Sequence, residues 1–279
     1  MKYRVIELFS GVGAQRMALK RIAAKHPEIE FEFLAQCDID KHAINSYNAI
    51  HGETMNLGDI SKVERLPDCD ILTYSFPCTD LSQAGLKEGM EKGSGTRSAL
   101  VWEVLRVLEN SHKPEWLVME NVPAITFSAN IKSFNNVIRQ LAEMGYTSKY
   151  AILNATEFNV AQNRSRCFMV SHYHGPVPEF PKGPGLSKCL LDYMEKDVDP
   201  KFYLSKERLK GLIVSCEKER ERGNGFGNFS FSKQDGSAKT ITTREGNVKV
   251  CNYINTDDTE RERERERERE TTVGSLSEQ

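Results

Sequence analysis

The sequence predicts an α/β protein: a doubly wound, Rossmann-like sheet with a smaller, irregular C-terminal lobe. Three observations carry this. Short apolar runs alternate with stretches of helical length from residue 3 to about 172, which implies a largely parallel sheet. The first run ends in a glycine turn, Ser10-Gly11-Val12-Gly13. Polar and reactive residues gather just after the strands, where ligands sit in such sheets.

The elements follow in order. Tyr3–Phe9 (YRVIELF) reads as the first strand. Residues 14–25 have helical spacing, with Ala14, Met17, Ala18 and Ile22 facing inward. Phe31–Cys37 is a strand, Lys41–His51 a helix and Asp70–Tyr74 a strand. Ser98–Asn110 is a strongly amphipathic helix. Trp116–Met119 is a strand and Ser133–Met144 a helix. Lys149–Asn154 and Arg166–His172 close the sheet. The Pro/Gly-rich stretch 175–185 marks a hinge, which divides the chain into an α/β domain (1–174), a C-terminal lobe (175–258) and a Glu/Arg tail (259–279). The lobe contains one helical patch, Ser205–Arg222.

Composition narrows the class. Hydrophobic residues are 39% and charged residues 28% of 279, as in ordinary globular proteins. No apolar run approaches the roughly 18 residues of a membrane span, and the N-terminus does not read as a secretory signal. The seven cysteines lack C-x-x-C spacing, so metal ligation is not expected. They read as free thiols in a reducing compartment, the cytoplasm. A net charge of −2 argues against a protein that coats nucleic acid, while leaving room for a local basic groove.

The glycine turn lets a ligand approach the backbone of Phe9, Ser10, Gly11 and Gly13, although a plain strand-to-helix turn reads the same way. A dinucleotide fingerprint would place a third glycine at position 16, which is Arg16. After the second strand, Asp38-Ile39 offers an acid for two ribose hydroxyls. Gly58-Asp59-Ile60 offers a second acid, for an adenine amino group. One glycine turn and two strand-end acids suit a nucleoside cofactor without a pyrophosphate, and S-adenosylmethionine fits.

The stretch YSFPCTDLSQAG, residues 74–85, puts Cys78 in a strand-end loop as a nucleophile; a buried structural thiol is the alternative. Glu120-Asn121-Val122 follows another strand and brings a carboxylate to the same edge of the sheet. Gln162-Asn163-Arg164-Ser165-Arg166 adds two guanidinium groups. Taken singly, Glu120 could cap a helix and the arginines could be solvated.

In that order these motifs resemble the DNA cytosine-5 methyltransferases. Phe9–Gly13 resembles the family's cofactor turn, Asp38 its ribose-binding acid, and Gly58-Asp59-Ile60 its adenine-binding segment. Phe76-Pro77-Cys78 with Ser82 resembles the nucleophile loop, and Thr96–Leu100 the helix start lining the cofactor pocket. Glu120-Asn121-Val122 resembles the base-contacting motif, and Gln162, Arg164 and Arg166 the Q-x-R-x-R motif. Ala161 stands where many members carry proline. The resemblance implies a methyltransferase fold that binds S-adenosylmethionine through Phe9, Ser10, Gly11, Gly13, Asp38, Ile39, Asp59, Ile60, Pro77 and Leu100. It implies double-stranded DNA as substrate and Cys78, Glu120, Arg164 and Arg166 as the catalytic set. Cys78 would add to carbon 6 of a flipped cytosine. Glu120 would share a proton with N3, and the arginines would hold the carbonyl oxygen. Residues 81–99, polar and glycine-rich, would close as a lid. The setting implied is bacterial restriction-modification or phase-variable methylation.

Two alternatives accompany this reading: the tRNA-methylating branch of the family, and an inactive chain that needs a separate polypeptide for C-terminal segments which the family normally has. The strict Glu/Arg alternation Glu260–Glu270 has no folding logic, since like charges coincide at i,i+4. Repeated GA in the gene would encode it in every frame. The tract is therefore expected to be a slippery repeat, and Thr271–Gln279 an out-of-frame ending.

Overall fold

The computed structural model describes residues 1–78, 81, 90–195, 198–199, 201, 203, 205–221, 230–232, 236–240 and 252–254. Ser82 and the rest of the 82–89 part of the expected lid, and the Glu/Arg tail with its repeat and out-of-frame reading, lie outside the described residues. The chain divides into two compact units, residues 1–153 with 165–181, and residues 154–164 with 182–279.

The first unit is built on a seven-stranded sheet. Its strands are β1 (Lys2–Leu8), β2 (Glu30–Cys37), β3 (Met55–Asn56), β4 (Ile71–Tyr74), β5 (Trp116–Asn121), β6 (Tyr146–Asn154) and β8 (Ser165–Tyr173), in the order β3-β2-β1-β4-β5-β8-β6. β1 pairs in parallel with both β2 and β4, and β4 pairs in parallel with β5. The chain therefore winds outward one way from β1 to β3 and the other way from β4. The switch point lies between the carboxyl ends of β1 and β4, where doubly wound sheets bind ligands. β8 runs antiparallel to β5, with Glu120 opposite Phe168 and Asn121 opposite Cys167. The sheet is thus mixed rather than all-parallel, a common variation at one side of such sheets.

The helices show why their sequences fold locally. α2 (Lys41–His51) starts on Asp40, whose carboxylate accepts from the His42 N–H at 2.8 Å and the Ala43 N–H at 3.3 Å. That satisfies two of the helix's otherwise unpaired donors. α3 (Val101–Glu109) buries Val101, Trp102, Val104, Leu105, Val107 and Leu108, and the Trp102 indole donates to the Met90 carbonyl at 2.8 Å. α4 (Ile131–Glu143) buries a single stripe of Phe134, Val137 and Leu141. Each such side chain contributes about 1.5–3 kcal/mol relative to exposure.

α1 (Ala14–Lys25) occupies the expected residues but is rotated from the expected face. It has no fully buried residue. Ala14, Ala18 and Ile22 are exposed, whereas Met17 is half-buried together with Gln15, Arg16, Leu19 and Ala23. The phase is set by Arg16, whose guanidinium lies over the Phe33 ring at 4.4 Å and reaches Tyr47 and Thr54. Apolar periodicity alone could not reveal a charged anchor.

In the second unit, β7 (Gln162–Asn163) pairs in parallel with β10 (Ala238–Lys239). Asn159, at φ 62°, accepts through its side-chain oxygen from the Ser187 N–H and hydroxyl and the Lys188 N–H, at 2.8, 2.9 and 3.1 Å. α5 (Lys206–Glu221) matches the helical patch expected there. Two three-residue strands, β9 (Ser230–Ser232) and β11 (Asn252–Ile254), pair in parallel.

Candidate active site

The turn after β1 is left-handed at Phe9, Gly11 and Gly13, at φ 55°, 54° and 77°. Left-handed backbone favours glycine. A Cβ on Gly11 would meet nothing within 4 Å, so its outer face is open to a ligand. A Cβ on Gly13 would meet the His51 ring at 2.4 Å and the Tyr47 ring at 2.8 Å. The Ser10 hydroxyl donates to the Gln36 side chain at 2.5 Å, and the Gly13 N–H closes the turn on the Ser10 carbonyl at 2.8 Å.

Asp38, just past β2, accepts from the Gly11 N–H on one carboxylate oxygen and from the Asp40 N–H on the other, each at 2.9 Å. A carboxylate has room for about two further donors, so this half-buried group can still receive a pair of hydroxyls. Asn56 binds it from behind. Its Oδ1 accepts from the Asp38 N–H at 3.2 Å and the Gly58 N–H at 3.0 Å, and its Nδ2 donates to the Asp38 carbonyl at 3.0 Å. Asp59 starts the turn Ile60–Lys62 and accepts from the Ser61 N–H and hydroxyl on Oδ1, at 3.0 and 2.8 Å. These Ser61 bonds hold its carboxyl below the usual carboxylate range. Ile39 is largely exposed, whereas Ile60 is 3% exposed and belongs to the core.

β4 runs into Ser75-Phe76-Pro77-Cys78, and two buried side chains fix that path. The Asn121 amide donates to the Phe76 carbonyl at 3.0 Å, and its Oδ1 accepts from the Val122 N–H at 2.8 Å. The Ser98 hydroxyl donates to the Pro77 carbonyl at 2.9 Å. Cys78 itself is half-buried. Burial pushes the thiols of Cys37, Cys69 and Cys167 up to about 12, so these three are not nucleophiles near neutral pH.

Met119 pairs with Tyr74, so Glu120 lies at the same edge of the sheet as the strand leading to Cys78. Glu120 is the penultimate residue of β5 rather than a residue after it. Its alternation in the strand turns it away from buried Met119 and Asn121. Arg166 stands diagonally across the antiparallel pair, and its Nε meets Glu120 Oε1 at 2.9 Å, with both side chains largely shielded. The Arg166 guanidinium also donates to the Ser165 carbonyl at 2.7 Å. Arg164 belongs to the second unit, where its carbonyl accepts from the Ala155 N–H at 3.0 Å. Leu100 ends the short turn Arg97–Leu100 that leads into α3.

Sequence reasoning thus located the carboxylates and the thiol but missed the side chains that hold them. Asn56, Ser98 and Asn121 are polar residues in or beside strand ends, and only their contacts distinguish them from neighbours. Among the described residues no group of three His, Cys, Asp or Glu could hold a metal ion, and no helix is long and apolar enough to cross a membrane.

Comparison with known proteins gives concordant findings. The profile of the family described as C-5 cytosine-specific DNA methylase matches residues 3–277. The orphan methyltransferase M.SssI of Spiroplasma monobiae is 30% identical over 291 residues, covering 83% of this chain and 75% of that relative. The type II methyltransferase M2.ScrFI of Lactococcus lactis subsp. cremoris is 31% identical over 263 residues, covering 74% and 71%. The solved structure of the S. pombe Dnmt2 methyltransferase superposes with a TM-score of 0.64 at 22% identity, covering 91% of this chain and 74% of that one. The separate partner polypeptide of the alternative reading finds no support in these matches.

Proposed function

This chain belongs to the C-5 cytosine-specific DNA methylase family, and from that premise we propose how its residues carry the reaction. The chain is a DNA (cytosine-5)-methyltransferase with the fold of the S-adenosylmethionine-dependent enzymes. It acts as the modification arm of a restriction-modification system or as an orphan enzyme, in the cytoplasm where its DNA lies.

The residues at the switch point fit S-adenosylmethionine. The open face over Gly11 admits the cofactor against the backbone. Asp38 takes the ribose hydroxyls and Asp59 the adenine amino group, with Phe9, Ser10, Gly13, Ile39, Ile60, Pro77 and Leu100 around them. When bound, the cofactor supplies an electrophilic methyl group on a sulfonium. The site offers no pyrophosphate cradle, because Arg16 fills the place of a third glycine.

The substrate is a cytosine flipped from double-stranded DNA, since carbon 5 cannot be reached inside the duplex. Cys78 gives up its thiol proton and its sulfur bonds to carbon 6, which pushes an electron pair onto carbon 5. Glu120 stands at N3, where a shared proton offsets the developing charge. Arg166 fixes the Glu120 carboxyl from across the strand pair. Arg164, two residues earlier in the chain, is assigned with Arg166 to the ring carbonyl oxygen. Carbon 5 would then take the methyl group, the broken sulfur–methyl bond leaving its electron pair on the departing thioether, S-adenosylhomocysteine. Loss of the carbon-5 proton to a base would re-form the 5,6 double bond as the carbon–sulfur bond breaks, releasing 5-methylcytosine and the Cys78 thiolate.

The observation that carries this reading is the Pro77-Cys78 path, fixed by Asn121 and Ser98, at the edge where Arg166 holds Glu120. Replacing the carbon-5 hydrogen by fluorine tests it, because fluorine cannot leave as the proton does. Duplex DNA carrying 5-fluorocytosine, with S-adenosylmethionine, should give a denaturation-resistant complex whose crosslinked peptide contains Cys78. Cys78→Ala should form none and should transfer no methyl group to ordinary DNA. Transfer at a near-parent rate by Cys78→Ala would sink the assignment.

A further inference from the structure

Beneath the glycine turn lies a buried polar cluster that the reaction above does not use. Glu7, in the middle of the sheet on β1, is fully buried. One of its carboxylate oxygens accepts from the Arg16 backbone N–H at 3.0 Å, and the other from the Tyr47 hydroxyl. The Arg16 guanidinium donates to that same hydroxyl at 3.0 Å and to the Thr54 hydroxyl at 2.8 Å. Tyr47 is fully buried. The His51 ring, one turn further along α2, packs edge-on against Tyr47 and meets the Val12 carbonyl at 3.1 Å.

The geometry has a local cause. α1 begins after Gly13, which has no side chain to cap the helix. Any side chain there would collide with His51 and Tyr47. The first turn of a helix nevertheless has unpaired N–H groups and favours a negative charge. Glu7 fills that role from the sheet below, on the third residue of α1. A buried carboxylate is costly unless paired, and Tyr47 and Arg16 pair it. The two rings that exclude a side chain from Gly13 therefore belong to the assembly that supplies the missing cap.

We propose that Tyr47 is a positioning residue for the cofactor turn: its hydroxyl joins Glu7 to Arg16, and through that cluster and His51 it holds Gly11–Gly13 in the left-handed conformation that exposes their backbone. The claim rests on the cofactor reading above. Arg16 then has a positive role at the place where a dinucleotide turn keeps glycine for close helix–strand packing. Its side chain spans the layer between α1 and the sheet and commits the turn to a fixed shape.

Tyr47→Phe removes one oxygen and keeps the ring. Hydrogen exchange of the ligand-free chain should show faster exchange at the Gly13 and Arg16 amides. Calorimetry should show the S-adenosylmethionine Kd raised about tenfold, the loss expected when a buried hydrogen bond to a charged group goes unmade. Leu141→Ala, in the core stripe of α4, serves as a control at least as destabilising and should leave both readouts near the parent. Parent-like exchange and affinity in Tyr47→Phe would overturn the proposal, as would the same losses in the control. A parent chain that binds no S-adenosylmethionine would instead overturn the cofactor reading, and the exchange result would then decide the role of Tyr47 by itself.

Discussion

Asp38 shows how much of a residue's role depends on what surrounds it. The sequence places an acid after the second strand, which is proposed to meet a ribose, but its orientation comes from the Gly11 and Asp40 N–H groups and from Asn56 behind it. Asp38→Ala and Asp59→Ala should each weaken S-adenosylmethionine binding by about 1–3 kcal/mol, the cost of a lost charged hydrogen bond in a shielded site. Unchanged affinity in both variants by calorimetry would reject the pocket. Asn121 illustrates the opposite case. It was read only as the neighbour of Glu120, yet its amide carries the Phe76 carbonyl and its oxygen the Val122 N–H. Asn121→Ala should lower stability by about 1–3 kcal/mol through groups left unpaired. It should also depress kcat more than it raises the cofactor KM, because Cys78 loses its fixed path. Denaturant unfolding and steady-state kinetics give the two readouts, and an unaltered kcat would show that the loop is held without it.

Among the elements, helices with clear caps and strands bounded by turns were read closely from the sequence. α2 and α1 begin and end where spacing places them, because Asp40 and the glycine turn are local signals. The two-residue strands β3 and β7 were invisible: a pairing that short is set by its partner strand and has no periodicity of its own. The inward face of α1 was misread for a related reason, since a guanidinium anchored across the sheet sets the rotation. Pairing also ties β1 to the residue before β4. Asp70 accepts from the Arg4 N–H at 2.7 Å, from Nε at 3.1 Å and from Nη2 at 2.8 Å. The Arg4 guanidinium holds the Asp70 carboxyl below its usual range. A depressed carboxyl pKa contributes stability above the unfolded value that is lost as pH falls through the folded value. Asp70→Asn should therefore lower the unfolding midpoint at neutral pH, and the gap to the parent should close as pH falls below about 4. A midpoint difference that stays constant into strong acid would assign the loss to something other than ionisation.

For the whole molecule, the division into two units makes the clearest prediction. Among the described residues, every member of the hydrophobic core cluster lies between Ile6 and Met169, with none from residues 154–164 and none beyond 181. A chain ending at Pro181 should therefore keep a cooperative thermal transition, with a midpoint within about 10 °C of the full chain, since several kcal/mol of core packing remain. A broad, non-cooperative melt would show that the second unit supports the first. The sequence by itself determined the alternating α/β plan, the strand-end location of Cys78, Glu120, Asp38 and Asp59, and the family whose motif order they follow. These are local facts, written in periodicity, turn residues and spacing. Only the tertiary structure decided that β8 lies antiparallel to β5, which lets Arg166 grip Glu120 from across the pair. It also decided that Glu7, Tyr47 and Arg16 meet under the glycine turn. Such contacts join residues tens of positions apart, and the burial that makes an unpaired charge costly exists only once the chain has folded.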